Sequence, residues 1–464
     1  MPDPLPAYVL SLDEATGRLG DIEAVTAGGA ELRVALPASY AHKPKAAYPL
    51  LLLVGAERWL GSAIEMTRLM AQTGELRETL VVAPPRAPDA RLVDELRARY
   101  RVAEASPLVY APGVALGGEV SLDVIGGDAT PAALLPTLVS GLRGRLSTGK
   151  SYGREAPPFR YRPLVGTLSA LRPVLGWIAA RRRPPLGPET RFLVRATALD
   201  RDFEIFAILP PAAATDPARR FPALVVLDAS IELSVVAETA ARLADAGAIP
   251  ELITVGIGVP RREGTGAAGF RRFEEFAPPT DGYAFDDDLG RIFRSLFALV
   301  GRDARVGVDR APDLRRFLVD ELLPRLEREL PIDVADVGLL GHSAGGTFVL
   351  YALHSGAPFR RFIAISPGIG VSGSWLRRTV DGRTPLAPPT RDVHLSFGGE
   401  ERTNAFNRIA GIPDTEAYAE RLRARDDVHV RSTVLDGETH SSVFPRAVAR
   451  TLSEVYGPGP VGVG

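Results

Sequence analysis

The 464-residue sequence contains no cysteine, which excludes disulfides, thiolate metal sites and a cysteine nucleophile together. Lysine is nearly missing too. It stands only at positions 43, 45 and 150, and arginine carries the remaining positive charge. The net charge of -1 leaves no strong overall field, so neither nucleic acid nor an anionic membrane is expected as a partner. Long apolar runs are also wanting: LVGTLSALRPVLGWIAA is broken by Arg172 and Pro173 and is too short to span a bilayer. The opening MPDPLPAYVL lacks a basic region and a long apolar stretch, so no secretory signal is read there and a cytoplasmic protein is expected.

What is present describes a globular protein, with 45% apolar and 24% charged residues. The length exceeds one ordinary core, and two domains are the starting expectation. An internal repeat supports that division. Shifting the chain by 173 positions lays ELRVALPASYAHKPKAAYPLLLLVGA (31–56) on EIFAILPPAAATDPARRFPALVVLDA (204–229). The register continues without a gap to 82 against 255, with 14 identities in 52 positions. Chance gives roughly 3 or 4, so common ancestry is the expectation. VDEL at 93–96 recurs at 319–322, an offset of 226, so the second copy carries a 53-residue insertion, placed between about 258 and 315.

In the second copy, apolar runs bounded by turn residues (FPALVVLD, LITVGIG, VGLLGH, FIAISPG, DVHLSFGG, VHVRSTVLDG) alternate with amphipathic helical segments. Such runs imply a mostly parallel sheet buried on both faces, an α/β fold. VGLLGHSAGGTFVLYAL (337–353) reads as strand, tight turn and helix. Within it, Gly341-His342-Ser343-Ala344-Gly345 satisfies the G-x-S-x-G nucleophile elbow. The flanking glycines are expected because side chains beside a strained Ser343 would clash with strand and helix.

A serine nucleophile needs a base and an acid, in the chain order serine, acid, histidine for this fold. Of the histidines after Ser343, His354 lies in the following helix, while His394 and His429 lie in strands. His440, in the loop DGETHSS after the last strand, is the candidate base, because catalytic groups gather at strand C-terminal ends. GGEER offers Glu400 and Glu401 as the acid, with Glu401 preferred; Glu438 is assigned to shaping the His440 loop. The backbone amides of Ala344 and Ala229 are the expected oxyanion hole.

Residues of about 190–458 resemble the esterase family of α/β-hydrolases that includes esterase D and the enterochelin (siderophore) esterases. VLDAS, RRFEEFAPP, GHSAGGTFVLYAL, FIAISPG, SFGGEE and GETHSSVFP carry the likeness in the family's order. It implies an α/β-hydrolase fold and ester cleavage. The family's R-x-x-D-[FL]-T-P stretch near the substrate falls on RFEEFAP, which makes Arg272 a candidate substrate contact. Glu275 stands for the family's Asp and Ala277 for its Thr.

The insertion, with REGTGAAGF and the acidic DGYAFDDDLG, is expected to be a flexible, Gly-rich lid; no metal and no cofactor are expected. The first copy reads as a shortened, degenerate lobe of the same type (1–145), joined by a linker (146–190) to the catalytic domain (191–458). Its elbow would fall in LVYAPGVALGG, without a serine at the nucleophile position, and Pro131 falls where His440 stands. GRLSTGKS (144–151) matches G-x-x-x-x-G-K-[ST] in letters, but a helical pattern precedes it and prolines follow it, so a phosphate loop is not expected. The reading is a serine hydrolase acting on a small-molecule ester, lactone or thioester. An acyltransferase using the same residues, a non-catalytic scaffold and a P-loop NTPase are the alternatives. A homo-oligomer is compatible with the sequence.

Overall fold

The computed structural model describes residues 9–11, 19, 22–55, 58–114, 116, 121–127, 130–149, 193–216, 218–299, 302–381 and 390–457. The expected linker lies outside the described residues from position 150 onward, and with it Lys150 and Ser151 of GRLSTGKS. The chain divides into two compact units. The first comprises Met1–Val9, Gly153–Ser230 and Leu252–Val443; the second comprises Leu10–Tyr152, Ile231–Glu251 and Phe444–Gly464.

Nine strands form the larger sheet. They are β1 (Val9–Leu10) and, further along the chain, β8 (Leu193–Ala196), β9 (Arg201–Ile208), β10 (Phe221–Val226) and β11 (Ile253–Gly258). β12 (Ile332–His342), β13 (Arg361–Ile365), β14 (Arg391–Gly398) and β15 (Val428–Leu435) complete it. The order is β1-β9-β11-β10-β12-β13-β14-β15, with β8 paired to β9. Every neighbouring pair from β11 through β15 is parallel, and β9 pairs antiparallel with both β8 and β11. β11 is buried at every position, as its unbroken ITVGIG run demands of a strand covered on both faces. Phe221, Phe317, Phe348, Phe359 and Phe362 are wholly buried in the core built on this sheet. The antiparallel β8–β9 hairpin was not legible in the apolar-run pattern.

The smaller sheet contains β2 (Ile22–Ala27), β3 (Ala30–Ala35), β4 (Leu50–Leu53), β5 (Leu80–Ala83), β6 (Leu108–Tyr110) and β7 (Asp123–Val124). Its order, β2-β3-β5-β4-β6-β7, is the order β8-β9-β11-β10-β12-β13 of the larger sheet. The pairing registers agree as well. Arg33 faces Ala83 as Phe206 faces Gly256, and Leu51 faces Val81 as Leu224 faces Thr254, each pair shifted by 173. Among the described residues, the smaller sheet ends at β7 and holds no counterpart of β14 or β15, the strands that lead to the candidate acid and base.

The insertion, expected as a Gly-rich lid, is largely helical. Its Gly-rich run opens helix Gly264–Glu275, followed by helices Asp288–Leu299 and Ala311–Arg316. Ala277, Phe285, Phe297, Ala304 and Val308 form a small core there, with Phe270 and Phe273 packed against it. Edge-on aromatic pairs, Phe270–Phe297 at 5.5 Å and Phe273–Phe293 at 5.2 Å, hold the helices together. The acidic run is used locally. Asp287 accepts from the Gly290 amide at 2.7 Å and from the Tyr283 hydroxyl, and Asp288 pairs with Arg291. Among the described residues, no helix is long and apolar enough to cross a membrane.

His354 closes the helix behind the elbow and hydrogen-bonds the Tyr418 hydroxyl. Burial, and after it the charge of Arg425, lowers its pKa to about 4 from an ordinary 6.5. Unfolded chains take up this proton first, so the stability His354 contributes is intact above pH 6.5 and lost as pH falls towards 4. The loss amounts to as much as about 3 kcal/mol. Acid melting curves of wild type and His354→Gln should show it, with the variant losing less stability across that window.

Candidate active site

β12 delivers Ser343 at φ 58°, ψ -119°, a conformation that turns its side chain out of the sheet edge before helix Ala344–His354 begins. The Ser343 amide donates to the Ile365 carbonyl at 2.8 Å, which ties the turn to β13. A Cβ on Gly341 would stand 2.4 Å from the Gly345 carbonyl carbon, so glycine is required there. At Gly345 the nearest atom would be Asp228 Oδ2 at 3.4 Å, an ordinary contact. The second tight position is Gly346, 2.9 Å from the Ile365 oxygen. The clash expected at both glycines of the motif therefore holds for Gly341 and not for Gly345. Gly341→Ala should destabilise by about 1–3 kcal/mol through overpacking against backbone and lose most ester turnover. Gly345→Ala should keep both, as melting and an ester assay would show.

His440 sits between β15 and helix Val443–Tyr456. Its Nε2 lies 2.9 Å from Ser343 Oγ and its Nδ1 lies 2.7 Å from Glu401 Oε2. With Glu401 ionised, Nδ1 carries the proton and donates, leaving Nε2 to accept from the Ser343 hydroxyl. Glu401 is fully buried, and its other oxygen accepts from the Gly398 amide at 2.7 Å and the Ser366 hydroxyl at 2.6 Å. Three donors converge on one carboxylate and fix it in place. Glu400 is exposed and uses its backbone amide on the Glu438 carbonyl. Of the two neighbours, Glu401 is the one brought to His440.

The loops that carry acid and base are locked together at backbone level. A Cβ on Gly398 would fall 2.2 Å from the Glu438 oxygen, so only glycine permits that approach. Glu438 accepts from the Ser442 hydroxyl at 2.6 Å, and Thr439 and Ser442 exchange backbone and side-chain bonds across the turn that presents His440. Below the base, His342 places Nε2 2.9 Å from the His440 carbonyl, with the two rings 4.8 Å apart. Burial first, then the His440 and Arg272 charges, pushes the His342 pKa well down, so it stays neutral and donates this bond.

Ala344 and Ala229 each open a helix, where first-turn amides have no intrahelical acceptor. Their strands, β12 and β10, are neighbours, with Val226 beside Leu340. Between β10 and Ala229 stands Asp228, at φ 54°. Arg272 donates from Nε to Asp228 Oδ1 at 2.7 Å, so the Arg272 side chain braces the segment that presents the Ala229 amide. Burial raises the Asp228 pKa and the Arg272 charge opposes that rise. Glu275 has a structural task, as its buried carboxylate pairs with Arg201 at 2.9 Å and Arg271 at 2.8 Å. Ser366, His342, Gly398 and Asp228 escaped sequence reasoning. The available signal was position, since Ser366 directly follows β13 and Asp228 stands two residues after β10, both at the sheet's C-terminal edge.

GRLSTGKS has no strand before it. Gly144 lies inside helix Leu134–Leu146, and Thr148 donates to the Glu75 carbonyl at 3.0 Å, so the segment caps a helix and pairs with the chain at 75–76. The chemistry-bearing arrangement is at Ser343.

A parallel sheet, an elbow serine, and an acid and a histidine in the loops after β14 and β15 define an α/β-hydrolase. Residues 303–433, which include Ser343 and Glu401, match the family described as Putative esterase. The sequence is 27% identical over 270 residues to the ferri-bacillibactin esterase BesA of Bacillus subtilis, covering 54% of this chain and 84% of that protein. It is 24% identical over 271 residues to the apo-salmochelin esterase of Escherichia coli, covering 56% of this chain and 76% of that one. A solved siderophore hydrolase, EstB of Aspergillus nidulans, is 20% identical over 60% of this chain and 97% of its own, with a TM-score of 0.47. The C-terminal region thus matches an esterase family and is similar to siderophore esterases, which supports an ester-cleaving hydrolase.

Proposed function

We propose that this esterase works through an acyl-enzyme on Ser343, with siderophore-type lactones and esters as its substrate class. The carrying observation is His440, placed 2.9 Å from Ser343 Oγ and 2.7 Å from Glu401. Ser343 Oγ attacks the ester carbonyl as its proton passes to His440 Nε2. Glu401 stabilises the imidazolium and keeps it oriented, and the amides of Ala344 and Ala229 receive the developing oxyanion. His440 then protonates the departing alkoxide and the alcohol leaves. A water molecule, deprotonated by His440, cleaves the acyl-enzyme and returns Ser343 to its starting state.

The siderophore assignment is supported by the two relatives, a ferri-bacillibactin esterase and an apo-salmochelin esterase. Arg272 serves this reading as a brace for the oxyanion segment through its 2.7 Å bond to Asp228. The N-terminal lobe serves as a non-catalytic copy, since the register of β6 against β4 puts Gly113 where β12 against β10 puts Ser343. Cytoplasmic residence belongs to the same reading and is checked by cell fractionation. A panel of p-nitrophenyl acyl esters and cyclic catecholate tri-esters, followed by product mass spectrometry, tests the substrate class. Faster kcat/KM on the tri-esters supports it, and cleavage of simple acyl esters alone overturns it. Transfer of the acyl group to an added alcohol in place of water would make the enzyme a transferase.

A further inference from the structure

Helix Leu60–Gln72 and residues Ile231–Asp245 of the helix that begins at Ala229 fall in the same compact unit. Each contributes one buried glutamate to the other. Glu65 accepts from the amides of Ser234 and Val235, both at 3.0 Å, through its two separate oxygens. Glu238 accepts from the amides of Gly61 at 3.0 Å and Ser62 at 2.8 Å, again one to each oxygen. The Ser62 hydroxyl also donates to Glu238, and it lies 3.1 Å from the Ser234 carbonyl.

The numbering of these contacts is the informative part. Position 65 becomes 238, 61 becomes 234 and 62 becomes 235 on adding the 173-residue offset of the sequence repeat. Each helix therefore offers its partner the contact that it receives. Reciprocal pairing of equivalent residues is the property of a two-fold interface between identical subunits, whereas head-to-tail packing pairs unlike positions. The contacts run to backbone amides, so they survive the side-chain differences between the copies, Gly61 against Ser234 and Ser62 against Val235. Both glutamates are about 97% buried or more, and a carboxylate at that depth is costly unless its oxygens are satisfied.

We propose that Ser234–Glu238 is a self-association surface of the esterase lobe, and that residues 61–65 of the same chain occupy the place of a second copy. The N-terminal lobe is thus a built-in subunit partner that keeps the chain from pairing with another. A surface that matches its own duplicate matches a second chain once the duplicate is withdrawn.

Sedimentation of the full chain tests this. Wild type is expected to be a monomer at tens of micromolar. Ser62→Arg/Glu65→Arg should produce a species of twice the mass, and adding Glu238→Arg should return it to monomer. A wild-type dimer, a folded double variant that stays monomeric, or a dimer that survives Glu238→Arg would each overturn the proposal. If the double variant does not fold, thermal melting of two milder variants decides. Glu65→Gln and Glu238→Gln should each lower the melting temperature by several degrees, since each disturbs the equivalent pair of backbone bonds, and Glu238→Gln should lower it more because Glu238 also accepts from the Ser62 hydroxyl. A large effect from one and none from the other contradicts the equivalence.

Discussion

Ser343→Ala lowers ester turnover by a factor on the order of 10⁴ to 10⁶ while leaving the fold intact. The attacking oxygen disappears, and neither Glu401 nor His440 can supply another in its place. Stability should hardly change. Alanine meets the φ 58° strain of the elbow as serine does, and the backbone bond from residue 343 to Ile365 persists. Among the described residues, the side-chain hydrogen bond surrendered is the 2.9 Å contact to His440. Measuring kcat/KM on a p-nitrophenyl acyl ester beside a melting curve checks both halves. Undiminished turnover in a folded variant would remove Ser343 from the mechanism.

Glu401→Gln carries the second large effect, a loss of about 10⁴ in kcat, because an amide facing His440 Nδ1 no longer selects the tautomer with a bare Nε2. The three-donor nest makes the effect specific. Ser366 and Gly398 still present two donors to one oxygen, so glutamine seats its carbonyl there and turns its NH₂ towards His440. The imidazole must then place its proton on Nε2, where it cannot accept from Ser343. Glu400→Gln, on an exposed side chain one residue away, should leave kcat within about twofold of wild type. Measuring kcat for the two variants side by side on one ester would separate them, with Glu401→Gln alone losing activity.

Much of this site was legible because chain order and residue type constrain it. Ser343 announced itself through two glycines between an apolar strand and helix, and His440 was the histidine left once helix and strand positions were set aside. The choice of Glu401 over Glu400 was harder, because adjacent carboxylates on a loop read alike until burial separates them. Ser366 and His342 were out of reach for another reason. They act on residues 35 and 98 positions away, and no spacing rule connects those pairs. The shared strand order and register of the two sheets were visible in the sequence as a constant offset of 173. The helices of the insertion were not legible, because its glycines read as loop while the run in fact opens a helix whose neighbours bring an aromatic core. GRLSTGKS misleads in the opposite way. Its letters fit a phosphate loop, yet the helix through Gly144 leaves no strand-to-helix turn in which amides could converge.

The central claim is that His440 activates Ser343 as the nucleophile. Labelling the full chain with a fluorophosphonate, then measuring intact mass and mapping the modified peptide, addresses it most directly. The account predicts one adduct per chain, on Ser343, formed rapidly in wild type and lost or greatly slowed in His440→Ala. An adduct on another serine, or labelling of Ser343 at an unchanged rate without His440, would contradict it.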